Sequence, residues 1–258
     1  MSPPVWLLAP AWYDGRSRRV LDDTLFAQYC LFLTIRIHDD LLDSQANESW
    51  LILAADDLII EAQGLFARHI EGRPFWSLFR NAMRRTLTGI AEVDRLQCQP
   101  RGMPASARQL YGDVASVLSI GVGATLARTN RLGEFSMFER FAADLAIAGQ
   151  LLDDLADVEE DAKRGRLNPA ATLLIGSDRM ARRCRQEAVR RKTLARRILL
   201  DGRAMAVLDL ARAHALRASR TAARMQLAEG VDHANGVADS CAFLADRAHR
   251  AQFDQLGE

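Results

Sequence analysis

The sequence predicts an all-α protein, a single-domain helical bundle over residues 1–258. Three observations favour this class. First, 49% of the residues are hydrophobic, which is ample for a core in a chain of this length. Second, no Asn-Gly or Asp-Gly turn joins two alternating β-branched runs, the pattern typical of hairpins. Third, long stretches without proline are rich in Ala, Leu, Arg and Glu, which are good helix formers.

Proline and glycine set the predicted helix boundaries. Pro74 stands in the first turn of the third helix, and residues 97–104 form a loop that contains proline and glycine. Residues 165–169 form a second loop, after which Ser177 can cap a helix that enters an arginine-rich run. The other predicted helices cover residues 18–43, 50–69, 74–96, 106–128, 134–163, 204–228 and 237–255.

Charge and cysteine usage exclude several classes of protein. Lys and Arg number 34 against 33 Asp and Glu, so a globally basic nucleic-acid binder and an acidic disordered chain are both excluded. No uninterrupted apolar run approaches the ~18 residues of a membrane span. The four cysteines form no CxxC pair, and no disulfide framework is expected. We expect a cytoplasmic protein that binds no nucleic acid.

The first predicted helix ends with three aspartates, Asp39, Asp40 and Asp43, which we call the first acid cluster. Asp43 is four residues from Asp39 and three from Asp40, so at least two carboxylates share one helical face. The flanking residues are apolar. Like charges on one stripe of an apolar helix repel one another unless a cation or a group of donors binds there.

A second acid cluster of the same DDxxD form contains Asp153, Asp154 and Asp157, with Asp161 one turn further on. A single acidic run is most simply a solvated helix face. Two copies embedded in apolar helices favour a functional interpretation, because three or four intervening helices would let their ends converge across a bundle. The pair Asp56–Asp57 lacks a third acid at matching spacing, and we interpret it as surface.

Carboxylate oxygens are hard ligands that suit Mg²⁺, which often binds through carboxylates and substrate phosphates. Acids on two walls of a bundle therefore predict several Mg²⁺ ions that bridge a diphosphate. The ions would neutralise the leaving diphosphate, and an apolar interior would protect the resulting carbocation from water. The predicted metal ligands are Asp39, Asp40, Asp43, Asp153, Asp154, Asp157 and Asp161. Those expected to be essential for catalysis are Asp39, Asp43, Asp153 and Asp157.

On these motifs, residues 21–169 resemble the class I isoprenoid synthase superfamily, all-α enzymes that ionise prenyl diphosphates between two Asp-rich helices. The HDDLLD run is similar to the first motif of trans-polyprenyl diphosphate synthases, and QLLDDLAD to their second. Three further runs are similar to elements of squalene and phytoene synthases: RIHDDLLD, DVEEDAKRGR, and LYGDVA in its residues LY and VA. The resemblance implies a bundle of the isoprenoid synthase type with a central apolar cavity, Mg²⁺ and a prenyl diphosphate substrate.

Departures from these families narrow the expected reaction. Residues 44–49 contain no arginine where chain-elongating synthases carry an Arg pair. The Lys-Thr that such enzymes place on the helix after Tyr111 is also missing. The Asn-Ser-Glu metal triad of typical terpene cyclases is absent too. The resemblance thus implies prenyl transfer to an acceptor other than isopentenyl diphosphate, either a second prenyl diphosphate or a non-isoprenoid molecule. The alternative is a class I terpene synthase that cyclises a single prenyl diphosphate.

A bound diphosphate also needs donors from the protein. Arg36 lies one turn before Asp40 within apolar flanks, which favours a functional role. The cations after the second acid cluster could instead complement a helix C-terminus. The predicted substrate-binding residues are Arg36, Gln150, Lys163, Arg164 and Arg166.

The run from Arg179 to Arg197 supports a rival hypothesis. It contains nine Lys and Arg and one Glu, so a non-enzymatic helical protein could use it to bind an acidic surface. The basic residues are not interleaved with aromatics, and this hypothesis leaves the paired acid clusters unexplained. Peripheral membrane contact and a homodimer stay open as further partners.

Overall fold

A computed structural model describes residues 18–42, 46–99, 102–164, 166–175 and 203–256. The described residues are 87% helix and contain no strand, which confirms the predicted all-α class. Asp43 and the basic run from Arg179 to Arg197, with the helix predicted after Ser177, lie outside the described residues.

The chain divides into two compact units. Unit 1 contains residues 1–87 and 114–142, and unit 2 contains residues 88–113 and 143–258. The single-domain organisation of residues 1–258 stays a prediction.

Ten α-helices are described in the ranges given above. They are α1 (Arg18–Leu42), α2 (Leu51–Ala67), α3 (Arg73–Gln97), α4 (Gln109–Val114), α5 (Ile120–Arg128), α6 (Phe135–Ala156), α7 (Val158–Lys163), α8 (Pro169–Ile175), α9 (Arg203–Arg224) and α10 (Ala228–Leu256). Three 3₁₀ helices cover Ala105–Arg108, Ala115–Ser119 and Leu132–Glu134.

The last helix begins at Ala228, earlier than the predicted residue 237. A short turn connects it to α9, in which Gln226 has a left-handed φ of 58°. The Leu227 N–H then donates to the carbonyl of Ala222, so the chain can start a new helix at once.

Unit 1 has an apolar core built from aromatic and aliphatic side chains of α1, α2, α3 and α5. Phe66 contacts Phe75 and Phe79 edge to face, with ring centroids 5.4 and 6.2 Å apart. The buried residues of α1 recur every three or four positions, as expected for one face of a helix. They are Thr24, Ala27, Gln28, Cys30, Leu31 and Thr34.

The helix predicted over residues 106–128 is present as the helical stretch Ala105–Arg128, but the stretch tightens to a 3₁₀ helix near its centre, over Ala115–Ser119. Two buried side chains bind the backbone there. Val117 donates its N–H to Thr86 Oγ1 at 3.0 Å, and its carbonyl accepts from Gln28 Nε2 at 3.1 Å. Gln28 Oε1 also accepts from the Gly121 N–H at 2.7 Å. These bonds satisfy polar groups that the tighter helix leaves without α-helical partners.

In unit 2, small side chains bring three helices together. Ala148 of α6, Ala215 of α9 and Ala238 of α10 are all buried and form one cluster. Alanine lets helix backbones approach closely because its side chain is a single methyl group. The C-terminal half of α6, which contains the second acid cluster, therefore packs against the α9–α10 pair.

One described stretch, Ala105–Arg128, is long and apolar enough to cross a bilayer by length and composition. In the most apolar 18-residue segment of this stretch, 67% is buried inside the structure, as in the core of a folded protein. A cytoplasmic location, membrane contact and a homodimer all stay predictions.

Candidate functional site

The described part of the first acid cluster lies in unit 1 and is paired with an arginine. Arg36 Nη1 donates to Asp39 Oδ2 at 2.9 Å, and Nη2 donates to Asp40 Oδ1 at 2.8 Å. All three side chains are at least one third exposed, so each ion pair stabilises the helix by only about 0–1 kcal/mol. The predicted ligands Asp39 and Asp40 and the predicted diphosphate donor Arg36 thus lie together.

The second acid cluster lies in unit 2, at a bend where α6 ends and α7 begins. Asp157 occupies the bend, and its N–H still donates to the carbonyl of Asp153 at 2.8 Å. The side chains of Asp153 and Asp157 are therefore one helical turn apart, and both residues are exposed. Partial desolvation and the charge of Asp157 raise the pKa of Asp153 above its usual value. A cation bound here would relieve the repulsion between the two carboxylates.

Asp154 points into the core of unit 2, although it neighbours Asp153 in the chain. Only 3% of it is exposed. Its Oδ2 accepts from the Tyr111 hydroxyl at 2.7 Å, and its Oδ1 accepts from Gln150 Nε2 at 3.3 Å. Burial raises the pKa of Asp154 to about 7, against the lowering effect of these two hydrogen bonds. The sequence predicts Asp154 as a metal ligand. In the structure, both of its carboxylate oxygens accept hydrogen bonds from protein donors.

A residue that the sequence analysis missed, Asn168, holds the last acid of the cluster. Asn168 Nδ2 donates to Asp161 Oδ2 at 2.7 Å and to the carbonyl of Asp154 at 3.0 Å. Its Oδ1 accepts from the Ala171 N–H at 2.8 Å, so Asn168 also caps α8. An Asn before Pro169, at the start of a helix, was a recognisable signal for this cap.

The predicted cations after the second acid cluster make ion pairs within the protein. Arg164 Nη2 donates to Glu160 at 2.7 Å on the surface. Arg166 Nη2 donates to Asp94 at 2.8 Å, and its side chain is only 17% exposed. The Lys163 side chain lies outside the described part of the chain.

A further buried polar group in unit 2 was also missed by the sequence analysis. His214 is 1% exposed, and its Nε2 accepts from Arg108 Nε at 3.1 Å. Because arginine can only donate, His214 carries its proton on Nδ1, which lies 2.6 Å from Asp144 Oδ1. Arg217 Nε also donates to that oxygen at 3.2 Å. These bonds tie the chain before α4 to α6 and α9.

The donor set of the second acid cluster fits Mg²⁺. Among the described residues, no group of three or more His, Cys, Asp and Glu side chains is arranged to hold a metal ion. Mg²⁺ needs no such cage, because it usually binds one or two carboxylates together with waters and substrate phosphates. The exposed pair Asp153 and Asp157 supplies hard oxygen donors of this kind.

The chain matches no protein-family model, and no curated protein is found to be similar to it. The resemblance to isoprenoid synthases therefore stays a prediction from the motif residues alone, mainly residues 36–43 and 150–166. The class that the described residues define is an all-α protein with carboxylates gathered at two helix ends.

Proposed function

We propose that this protein is a Mg²⁺-dependent enzyme that ionises an allylic prenyl diphosphate. It transfers the prenyl group to an acceptor other than isopentenyl diphosphate, as a step of isoprenoid biosynthesis. The observation that supports the proposal most strongly is the pair Asp153 and Asp157. These two like-charged groups are exposed and electrostatically coupled at the end of a largely apolar helix. Repulsion within such an exposed pair destabilises a helix by only about 0.2–0.5 kcal/mol, and the two carboxylates together are suited to hold a divalent cation.

Each acid cluster offers hard oxygen donors that would hold Mg²⁺. These are Asp153 and Asp157 in unit 2, and Asp39 and Asp40 at the end of α1 in unit 1. When bound, Mg²⁺ would supply positive charge that stabilises the leaving diphosphate. Arg36 orients the diphosphate, because its planar guanidinium can form two parallel hydrogen bonds to phosphate.

Apolar side chains next to the second acid cluster face the core of unit 2. Leu151 is fully buried in the unit 2 core, and Leu152 and Leu155 pack against that core on either side of Asp154. We propose that the bundle is of the isoprenoid synthase type, with a central apolar cavity that holds the prenyl tail. An allylic cation formed there would meet the acceptor before it meets water.

Incubation with prenyl diphosphates of ten to twenty carbons tests the proposal. We expect Mg²⁺-dependent diphosphate release, abolished by EDTA, and a product whose mass combines the prenyl group with an acceptor. A cyclic hydrocarbon or alcohol from one substrate alone would instead identify the cyclase. Diphosphate release that continues in EDTA would contradict the proposal.

A further inference from the structure

Asn168 donates hydrogen bonds to two residues of the second acid cluster, Asp154 and Asp161. It lies in the short irregular segment between α7 and α8 and is completely buried. Its side-chain amide makes three hydrogen bonds: to the Asp154 carbonyl at the end of α6, to the side chain of Asp161 in α7, and to the Ala171 N–H in α8. One amide therefore connects three helices at the acid cluster.

The segment that contains Asn168 is itself fixed to the end of α3. The Leu167 N–H donates to the Gln97 carbonyl at 2.9 Å, and the Leu167 carbonyl accepts from Met103 at 2.8 Å. The ion pair between Arg166 and Asp94 adds a third connection. These contacts hold Asn168 in place, so that its amide can keep the Asp161 carboxylate in one orientation.

We propose that Asn168 is a positioning residue for divalent cations, acting through the carboxylate of Asp161. This inference rests on the proposed function, because it assumes that the second acid cluster binds a metal. Carboxylates that ligate metals are usually held by hydrogen bonds from residues that do not touch the ion, and loss of such a partner typically weakens metal binding. The 2.7 Å bond from Asn168 Nδ2 fixes one oxygen of Asp161 in this way.

The substitution Asn168→Thr separates this role from helix capping. A threonine hydroxyl can still accept from the Ala171 N–H, so the cap of α8 is kept. Its side chain is too short to replace the amide donor that reaches Asp161 and the Asp154 carbonyl, and the Asp161→Asn background used below separates these two losses. A residue that served only as a cap would therefore tolerate the change.

Mn²⁺ binding to the substrate-free protein, followed by electron paramagnetic resonance, tests the proposal. Asn168→Thr is expected to weaken Mn²⁺ binding on the order of 10-fold. In an Asp161→Asn background the same substitution should cause no further loss, because the carboxylate on which it acts is gone. The control Leu208→Ala removes a buried side chain of α9 and should leave Mn²⁺ affinity unchanged. Urea unfolding of each variant confirms that it is folded, and Asn168→Gln, which displaces the same amide, replaces a threonine variant that does not fold.

Three results would overturn the inference, and they fall into two distinguishable kinds. Unchanged Mn²⁺ affinity in Asn168→Thr, or an equal loss with and without Asp161, would refute the positioning role while the metal site stood. Absence of Mn²⁺ binding by the unmodified protein would refute both the metal site and the role of Asn168.

Discussion

The Tyr111 hydroxyl donates a 2.7 Å hydrogen bond to Asp154 Oδ2, joining α4 to α6 inside unit 2. Burial and the nearby Asp154 carboxylate raise the pKa of Tyr111, so its hydroxyl keeps its proton and acts as the donor. In return, this bond lowers the pKa of Asp154 from the value that burial alone would produce. The pair anchors the acid-bearing end of α6 to the interior of unit 2.

Removing this donor should destabilise the protein. Tyr111→Phe leaves a buried carboxylate with one partner fewer, and such a loss typically costs about 1–3 kcal/mol. Urea unfolding at pH 8 measures the effect. The matched control is Tyr29→Phe, because Tyr29 is 43% exposed and its loss of a hydroxyl should change stability little. Equal unfolding midpoints for Tyr111→Phe and the parent would contradict the assigned role.

The stability of the protein should depend on the proton of Asp154. Its folded pKa of about 7 lies above the ordinary value near ~3.9, so the folded state holds this proton more tightly than the unfolded state. The resulting stability is complete below the unfolded pKa and is lost as pH rises through about 7. Asp154→Asn mimics the neutral acid and should lack this loss.

Urea midpoints between pH 4 and pH 8, measured in EDTA, compare the two proteins. Asp153, whose pKa is also raised, is present in both, so the difference between them isolates Asp154. The same fall in stability with pH in Asp154→Asn would show that other groups cause it.

In unit 1, Gly121 of α5 is expected not to accept a methyl group. A Cβ on Gly121 would lie 3.0 Å from Gln28 Oε1 and 3.2 Å from Gln28 Cβ. Gln28 cannot move away without breaking its bonds to Val117 and Gly121, so Gly121→Ala should cost about 1–3 kcal/mol. Gly236→Ala is the control: nothing lies within 4 Å, and the change should stabilise α10 by up to about 1 kcal/mol. Chemical denaturation of both variants checks the contrast, and similar effects at the two positions would contradict it.

Arg36 should have opposite effects on metal and on substrate. Without metal it bonds to Asp39 and Asp40, so Arg36→Gln should strengthen Mn²⁺ binding by the substrate-free protein. The same change should weaken the binding of inorganic diphosphate in the presence of Mg²⁺, since it removes a bidentate donor. Calorimetric titration measures both affinities. Arg95→Gln, which breaks a similar ion pair with Glu92 on α3, should alter neither. A change of the same sign in both affinities would show that Arg36 does not exchange partners.

The all-α class was predictable because it follows from local properties, namely helix-forming composition and the positions of proline. The tightening to a 3₁₀ helix around Val117 was not predictable, because the side chains that cause it lie far away in the chain. Gln28 and Thr86 are 89 and 31 residues from Val117. No pattern within residues 106–128 shows that these two side chains replace helical hydrogen bonds.

The acid clusters were also recognisable from spacing, but the roles of their members were not. Adjacent residues on a helix differ by about 100° in direction, so Asp153 is exposed while Asp154 is buried. Which of the two faces the core depends on the position of Tyr111, a tertiary feature. Asn168 could have been found as a helix cap, although its bond to Asp161 depends on the fold around α7.

The most direct test of the central claim is the rate of diphosphate release from farnesyl or geranylgeranyl diphosphate with Mg²⁺. We predict that Asp153→Asn and Asp39→Asn abolish this release while circular dichroism shows unchanged helicity. Asp56→Asn, an exposed acid of α2 outside both clusters, should keep the parental rate. Release at the parental rate by either cluster variant would contradict the claim that these aspartates bind the metal ions of a prenyl diphosphate enzyme.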